Sequence, residues 1–460
     1  MLRKLDSGKF TVSQPIILYR KFTADYIFTG QEILPGNKAL ITDQNGVIID
    51  FVAISDAGDN VENFSGMLSP GFVNAHCHLE LSHMKGYIPP KSGLINFILK
   101  VVFERNFNES IILAAIENGE NEMLQNGIVA VGDICNNSLT IAQKSKRRLQ
   151  YHNFIETSGF TSAIAASRFK NSEDIYQAFS ALLPDNSIVA HAPYSVSPEL
   201  FSLINDFPNN NILSIHNQET EAENELFKNK EGEFLSMYKQ MNIDVSPFNA
   251  SGKSSLQSYL PALGNYQSLI LVHNVCTTAE DIEFEIRHTI NLRNNTINHQ
   301  LPSTSFNQIQ PSVTLPSTHQ PSTINHQPSS TTFNHLQPPS TLQPPSTFYC
   351  LCPNANLYIT GQLPNVTLLV EQKCNIVLGT DSLASNHQLS ILEEIKTLQK
   401  YFPTIPLQAM LGWATINGAK ALQTDKTLGS FDKGKMPGIV HIDNLNGLLL
   451  TQASRSKRIL

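Results

Sequence analysis

The chain has 460 residues, room for a barrel-sized domain of about 250 residues and a smaller one beside it. Hydrophobic residues make up 41% of it, which suits a globular core, and the net charge of -7 leaves no basic field for nucleic acid. No apolar run reaches the roughly 18 residues that a membrane span needs, and the opening MLRKLDSGKFTVSQ lacks the apolar stretch of a secretion signal, so a cytoplasmic location is expected.

Residues 15–66 carry short β-rich runs, ADYIFTG and KALITDQNGVIIDFVAI, with Asn45-Gly46 marking a hairpin turn. Eight short apolar runs follow: GFVNAHCH (71–78), GIVAVGDI (127–134), QYHNFIET (150–157), SIVAHAPYSV (187–196), NILSIHNQE (211–219), SLILVHNV (268–275), FYCLCPNA (348–355) and NIVLGTD (375–381). Stretches such as SIILAAIENGENEMLQN between them fit amphipathic helices, and the alternation predicts an α/β fold, a (β/α)8 barrel of the TIM type. Ionisable residues gather at the ends of those runs: His76, His78, His191, His216, His273 and Asp381. In such barrels the C-terminal strand ends form the active-site face.

One stretch departs from this pattern. From Asn294 to Val370 there is no Asp, Glu, Lys or Arg, and prolines crowd between Pro302 and Pro345 in a recurring Q-P-S-T theme. Such a composition cannot build a core, so residues 294–347 are expected to be a disordered insert. Lying between the sixth helix (TTAEDIEFEIRH) and the seventh strand, it is expected at the barrel face opposite the active site, and its His299, His319, His326 and His335 are not counted as ligands. The tail from 425 to 460 again reads as short strands and turns, and is expected to join the N-terminal segment in a small β domain.

The six cysteines (77, 135, 276, 350, 352 and 374) lack C-x-x-C spacing, a basic neighbour or a helix start, and are read as reduced buried thiols. Glu80 and His83 suit either the pocket lining or the surface; His387, alone on a loop, is not assigned to the site; Trp413 suits a helix packed on the barrel.

The strand-end residues define a chemistry. In a strand, residues i and i+2 share a face, so His76 and His78 can reach one ion. With His216 and Asp381 they offer three nitrogens and a carboxylate, suited to one divalent ion, Zn(II) in preference to Fe(II), which lowers the pKa of a bound water toward neutrality. Glu219, three residues after His216, is placed for general acid/base work, His273 to polarise the attacked centre or hold the water, and His191 to contact substrate.

The motifs PGFVNAHCH, HNQETEAE, LVHN and LGTDSLASN, followed by LGSFDKGK, resemble the amidohydrolase superfamily, in particular its deaminase and chlorohydrolase branch. HCHLELS and HNQETEAENELF are most similar to the aminodeoxyfutalosine and S-adenosylhomocysteine-type deaminases. The resemblance implies His76, His78, His216 and Asp381 as ligands of one divalent metal, Glu219 as proton shuttle and His273 near the attacked carbon. It also implies a β-sandwich made from both chain ends (1–66 and 425–460) around a barrel at 67–424. SIVAHAPYSV has no lysine where two-metal members carry one, which indicates a mononuclear site, and KGKMPG lacks the Asp of the usual KGKxAD ending. The expected reaction is hydrolytic deamination of an amino-purine or related heterocycle, a small-molecule substrate, with no nucleic-acid or membrane partner. Hydrolysis of another C–N or C–Cl bond on a similar ring, or a catalytically inactive barrel acting as a binding scaffold, stays open, as does a homo-oligomer.

Overall fold

Runs that are apolar at every position, not at alternate ones, should form strands covered on both faces. They do. The computed structural model describes residues 19–208, 210–300 and 345–460. Most of the Pro/Ser-rich stretch expected to be disordered, including His319, His326 and His335, lies outside the described residues, as do the first 18 residues.

Strands β1 (Arg20–Phe28), β2 (Ile33–Pro35), β3 (Lys38–Thr42), β4 (Ile48–Ala53) and β5 (Val61–Pro70) open the chain. Then come β6 (Phe72–Cys77), β7 (Ile128–Cys135), β8 (Gln150–Thr157) and β9 (Asn186–Ala190), hydrogen-bonded in that order into a parallel sheet. A second parallel sheet follows with β10 (Ile212–Asn217), β11 (Ser268–His273), β12 (Ser346–Leu351) and β13 (Ile376–Leu378). Every residue of β6, β7, β10 and β11 is buried, and their side chains join one large hydrophobic core.

The two parallel sheets touch at both edges. The His216 amide donates to the His191 carbonyl (3.0 Å), and the Thr380 and Asp381 amides both donate to the His76 carbonyl (3.1 Å each). Asn74 and Thr380 add a reciprocal pair, Asn74 Nδ2 to Thr380 Oγ1 (2.7 Å) and Thr380 N to Asn74 Oδ1 (3.0 Å). The approach is so close that a Cβ at Gly379 would fall 2.9 Å from both Cys350 Sγ and the His76 carbonyl oxygen, so only glycine fits between β12 and β6.

Both ends of the chain meet in a seven-stranded sheet. Strands β14 (Ile439–Ile442) and β15 (Ser456–Arg458) complete it in the order β15-β14-β5-β1-β3-β4, with β2 on β1. The β3–β4 turn forms at Asn45-Gly46 as expected: Asp43 Oδ1 accepts from the Asn45 and Val47 amides (2.9 Å each), and Gly46 takes φ +90°. The helix after β11 runs Ala279–Gln300, further than the TTAEDIEFEIRH pattern suggested and into the charge-free stretch. No helix among the described residues is long and apolar enough to cross a membrane.

The thiols depart from the expectation in three ways, the first being that Cys276 and Cys374 are only half-buried. Cys77, Cys135, Cys350 and Cys352 are buried as expected, but Cys135 does have a basic neighbour, with Lys144 Nζ 3.1 Å from its sulfur, and Cys352 directly precedes the helix Pro353–Ile359. Nine residues of chain fold back to place a fully buried lysine on β7, a juxtaposition in space that local sequence does not display. Lys144 pairs with Asp133 (2.5 Å), donates to Asn153 Oδ1 (2.8 Å) and lies over the Tyr151 ring. Burial pulls the Lys144 pKa down, but Asp133 and Cys135 more than offset it, so the amine stays charged.

Lys144→Met would strand the Asp133 carboxylate in the core, a loss of about 3–5 kcal/mol. In urea unfolding, the double variant Lys144→Met/Asp133→Asn is expected to lose less than the two single variants summed, the coupling expected of a buried pair.

Candidate metal centre

Each proposed ligand stands at the end of a parallel strand. His76 is in β6 and His78 one residue past it, His216 is in β10, and Asp381 follows β13. All four are buried, and a ligand atom from each lies within 4.8 Å of the others. His78 Nε2 is 3.1 Å from His76 Nε2, 3.3 Å from His216 Nε2 and 3.3 Å from Asp381 Oδ1, and His76 Nε2 is 3.5 Å from the same oxygen.

These separations carry information about occupancy. Four ligands on arms of about 2.0–2.1 Å around a tetrahedral ion would sit roughly 3.3 Å apart, close to the observed edges. His216 Nδ1 lies 2.7 Å from the His191 carbonyl, to which it donates its proton, so its Nε2 presents a bare lone pair inward. Burial, then the neighbouring imidazoles, hold His216 well below the ordinary histidine pKa, and burial lowers His78 likewise. Burial alone would raise Asp381, but the facing His76, His78 and His273 take it well below the usual carboxylate range. Its second oxygen accepts from Ser385 Oγ (2.5 Å). Three imidazole nitrogens and a carboxylate packed this closely fit a divalent cation.

Glu219 and His273 stand beside this set, with Glu219 Oε1 3.6 Å from His273 Nε2. Asn356 Nδ2, from the helix Pro353–Ile359, meets His273 Nδ1 at 3.1 Å, so the amide donates there and Nε2–H faces Glu219. Glu219 precedes the helix Glu221–Asn229, so it is not one of that helix's own first-turn acids. The first-turn acids are Glu221 and Glu223, and the Glu223 carboxylate accepts from the Gln218 (3.0 Å) and Glu219 (3.3 Å) amides and so fixes the Glu219 backbone. Burial, with the charges of Asp381 and Glu223, pushes the Glu219 carboxyl well above its usual range, and burial brings His273 down to about 4. Some backbone strain lies here: Gln218, His273, Asn274 and Asp381 all have positive φ (+46°, +76°, +60° and +55°), conformations that cost about 1–3 kcal/mol each.

The centre lies at the foot of a cleft of about 340 Å³ that His191 also lines, with Leu94, Phe97, Ile98 and Met237 on its walls. Glu80 is buried outside the lining, its Oε2 accepting from the Asn136 amide (3.0 Å), while half-buried His83 bonds the Arg105 carbonyl (2.9 Å). His387 is exposed against Tyr358, and Trp413 is buried in the core. The sequence reading missed Glu156 and Asn136, single polar residues at strand ends without a motif, and also Asn356 and Glu223.

A buried three-nitrogen, one-carboxylate set beside a carboxylate–imidazole pair, at the C-terminal ends of parallel strands, marks a metal-dependent hydrolase type of centre. The chain belongs to the amidohydrolase family, whose model matches residues 67–455. A 5-methylthioadenosine/S-adenosylhomocysteine deaminase of Thermoanaerobacter pseudethanolicus is 39% identical over 98 residues, which is 20% of this chain and 23% of that protein. The chain thus spans about a quarter of the length of that relative. An adenosine deaminase of Helicobacter pylori is 24% identical over 375 residues, covering 78% of this chain and 75% of the relative. The crystal structure of Helicobacter pylori aminofutalosine deaminase in complex with methylthio-coformycin superposes with a TM-score of 0.69 at 19% identity, covering 96% of this chain and all of that one.

Stripping the protein with a chelator and adding back zinc should restore about one equivalent of bound metal by elemental analysis and raise the thermal midpoint, as expected for a ligand that binds only the folded state. Two equivalents, or no shift, would contradict a single centre.

Proposed function

We propose that this chain is a deaminase that hydrolyses the exocyclic amino group of an amino-purine or related heterocycle. The observation that carries the reading is the Glu219–His273 pair, 3.6 Å apart, at the edge of the ligand set and the foot of the cleft. The relatives' names, deaminases of adenosine and of methylthioadenosine and S-adenosylhomocysteine, support the same chemistry. In this reading the two parallel sheets form one closed (β/α)8 barrel at 67–424, with the Pro/Ser-rich stretch inserted between the helix Ala279–Gln300 and β12. The sheet built from 1–66 and 425–460 forms a small β-sandwich beside it.

His76, His78, His216 and Asp381 hold one divalent ion, zinc in preference to iron because hydrolysis calls for no redox change. When bound, that ion supplies Lewis acidity and lowers the pKa of water at the site. Water adds to the amino-bearing carbon. Glu219 takes a proton from it and passes it to the departing nitrogen, so that R–NH2 and H2O become the ring carbonyl and NH3. His273, with Nδ1 held by Asn356, directs its Nε2–H to the oxygen that has joined the carbon, and His191 contacts the ring from the cleft wall.

Ammonia release from a panel of adenosine-like, guanine-like and triazine compounds tests the reading. Glu219→Gln should keep its bound metal while kcat falls by about 10²–10⁴. A variant as active as the parent would remove Glu219 from the mechanism, and chloride release from a chlorinated ring without ammonia from any amino ring would replace deamination with dehalogenation.

A further inference from the structure

The run HNQET holds a metal ligand and the proposed proton shuttle, but Gln218, directly before the shuttle, has no part in the chemistry above. It is fully buried and lies outside the cleft lining. Its φ of +46° is a left-handed conformation that glycine and asparagine adopt far more readily than glutamine, and it persists only where the surroundings hold it. Both ends of the side-chain amide are held. Nε2 donates to Asp281 Oδ2 (2.8 Å), and Oε1 accepts from Thr277 Oγ1 (2.8 Å). The main-chain carbonyl accepts from the Cys276 amide (3.0 Å). All three partners belong to the segment that follows His273, so Gln218 ties the turn carrying Glu219 to the turn carrying His273.

Asp281 is fully buried near the start of the helix Ala279–Gln300 and closes a reciprocal cap with Thr278. Thr278 N donates to Asp281 Oδ2 (3.1 Å) and Asp281 N to Thr278 Oγ1 (3.3 Å). Capping engages only that oxygen. Oδ1 accepts from Ser254 Oγ (2.5 Å) and Gln257 Nε2 (2.9 Å), contacts that a helix cap does not need. Fixed by those donors, the carboxylate is a rigid acceptor for the Gln218 amide.

We infer that Gln218 and Asp281 are positioning residues that set the 3.6 Å contact between Glu219 and His273, and with it the path of the transferred proton. The inference rests on the deamination reading and deepens it. Glu219 and His273 come from different strands, so their separation depends on how the two turns are joined. Asn217 and Asn274 join the strands one step earlier, Nδ2 to Oδ1 at 3.1 Å, so losing the Gln218 tie should leave the strands paired and shift the turn alone. A misplacement of about 1 Å there costs on the order of 100-fold in rate.

The test compares the zinc-loaded full chain with Gln218→Ala, Asp281→Asn and the double variant Gln218→Glu/Asp281→Asn, in which amide and carboxylate change places. Ammonia release from an amino-purine gives kcat, KM and the solvent deuterium isotope effect on kcat, and bound zinc is determined for each protein. Each single variant should lose roughly 10–100-fold in kcat with KM and bound zinc unchanged. The isotope effect should grow, because proton transfer through a misplaced Glu219 becomes limiting, and the double variant should recover most of the loss. An unchanged kcat, a loss that falls on KM or on bound zinc, or a double variant no better than Gln218→Ala would overturn the proposal. Gln218→Ala and the double variant decide it even if Asp281→Asn does not fold. Crystal structures of the same zinc-loaded proteins read the contact without turnover: Glu219 should move away from His273 in Gln218→Ala and return in the double variant, and a Glu219 that stays in place overturns the proposal. A parent that releases no ammonia refutes deamination, and the crystallographic displacement then decides the positioning claim by itself.

Discussion

Three imidazole nitrogens and a carboxylate buried within 4.8 Å of one another repel each other unless something positive sits among them. No lysine or arginine reaches into this set among the described ion pairs, and the low pKa values of His78 and His216 keep protons from serving instead. The rest of the molecule can be understood as the framework that holds this unfavourable arrangement in place. Parallel strands are suited to it because their C-terminal ends lie together on one side, so single residues from β6, β10 and the segment after β13 converge without any of them being near in sequence.

Holding the set takes more than strands. The His76 carbonyl receives two amides from the Asp381 segment, the His191 carbonyl fixes the tautomer of His216, and Ser385 aims Asp381. Beneath, Asp133 Oδ1 accepts from the Leu79 amide (2.8 Å), just past His78, while Lys144 neutralises its other oxygen. Positive φ at Gln218, His273, Asn274 and Asp381 turns those residues out of strand geometry, and of them His273 and Asp381 line the cleft. Strain of this kind persists only where surrounding packing over-determines it, and the fully buried strands provide that packing.

Much of this was readable in the sequence because two periodicities were visible at once. All-apolar runs of strand length marked the two-sided burial, and the polar residue that ended each run marked the common face, which is why His76, His78, His216, His273 and Asp381 stood out together. What stayed hidden is organised by space alone. Lys144 meets Cys135 and Asp133 only because a short helix, Ile141–Lys144, turns back onto β7. Glu156 and Asn136 sit singly at strand ends, and nothing in HNFIET tells an exposed glutamate from a buried one. Glu223 is one acid among several in QETEAENELF, yet it is the one whose carboxylate ties down the Glu219 backbone. The helix that continues to Gln300 had no charge pattern to mark its last turns.

The most direct measurement is anomalous diffraction at the zinc absorption edge from crystals of the zinc-loaded protein. The account predicts one strong peak bonded at once to nitrogens of His76, His78 and His216 and to an oxygen of Asp381, with Glu219 and His273 beside it. A peak among Glu156, His191 and His216 instead, or none within reach of the four residues, would contradict it.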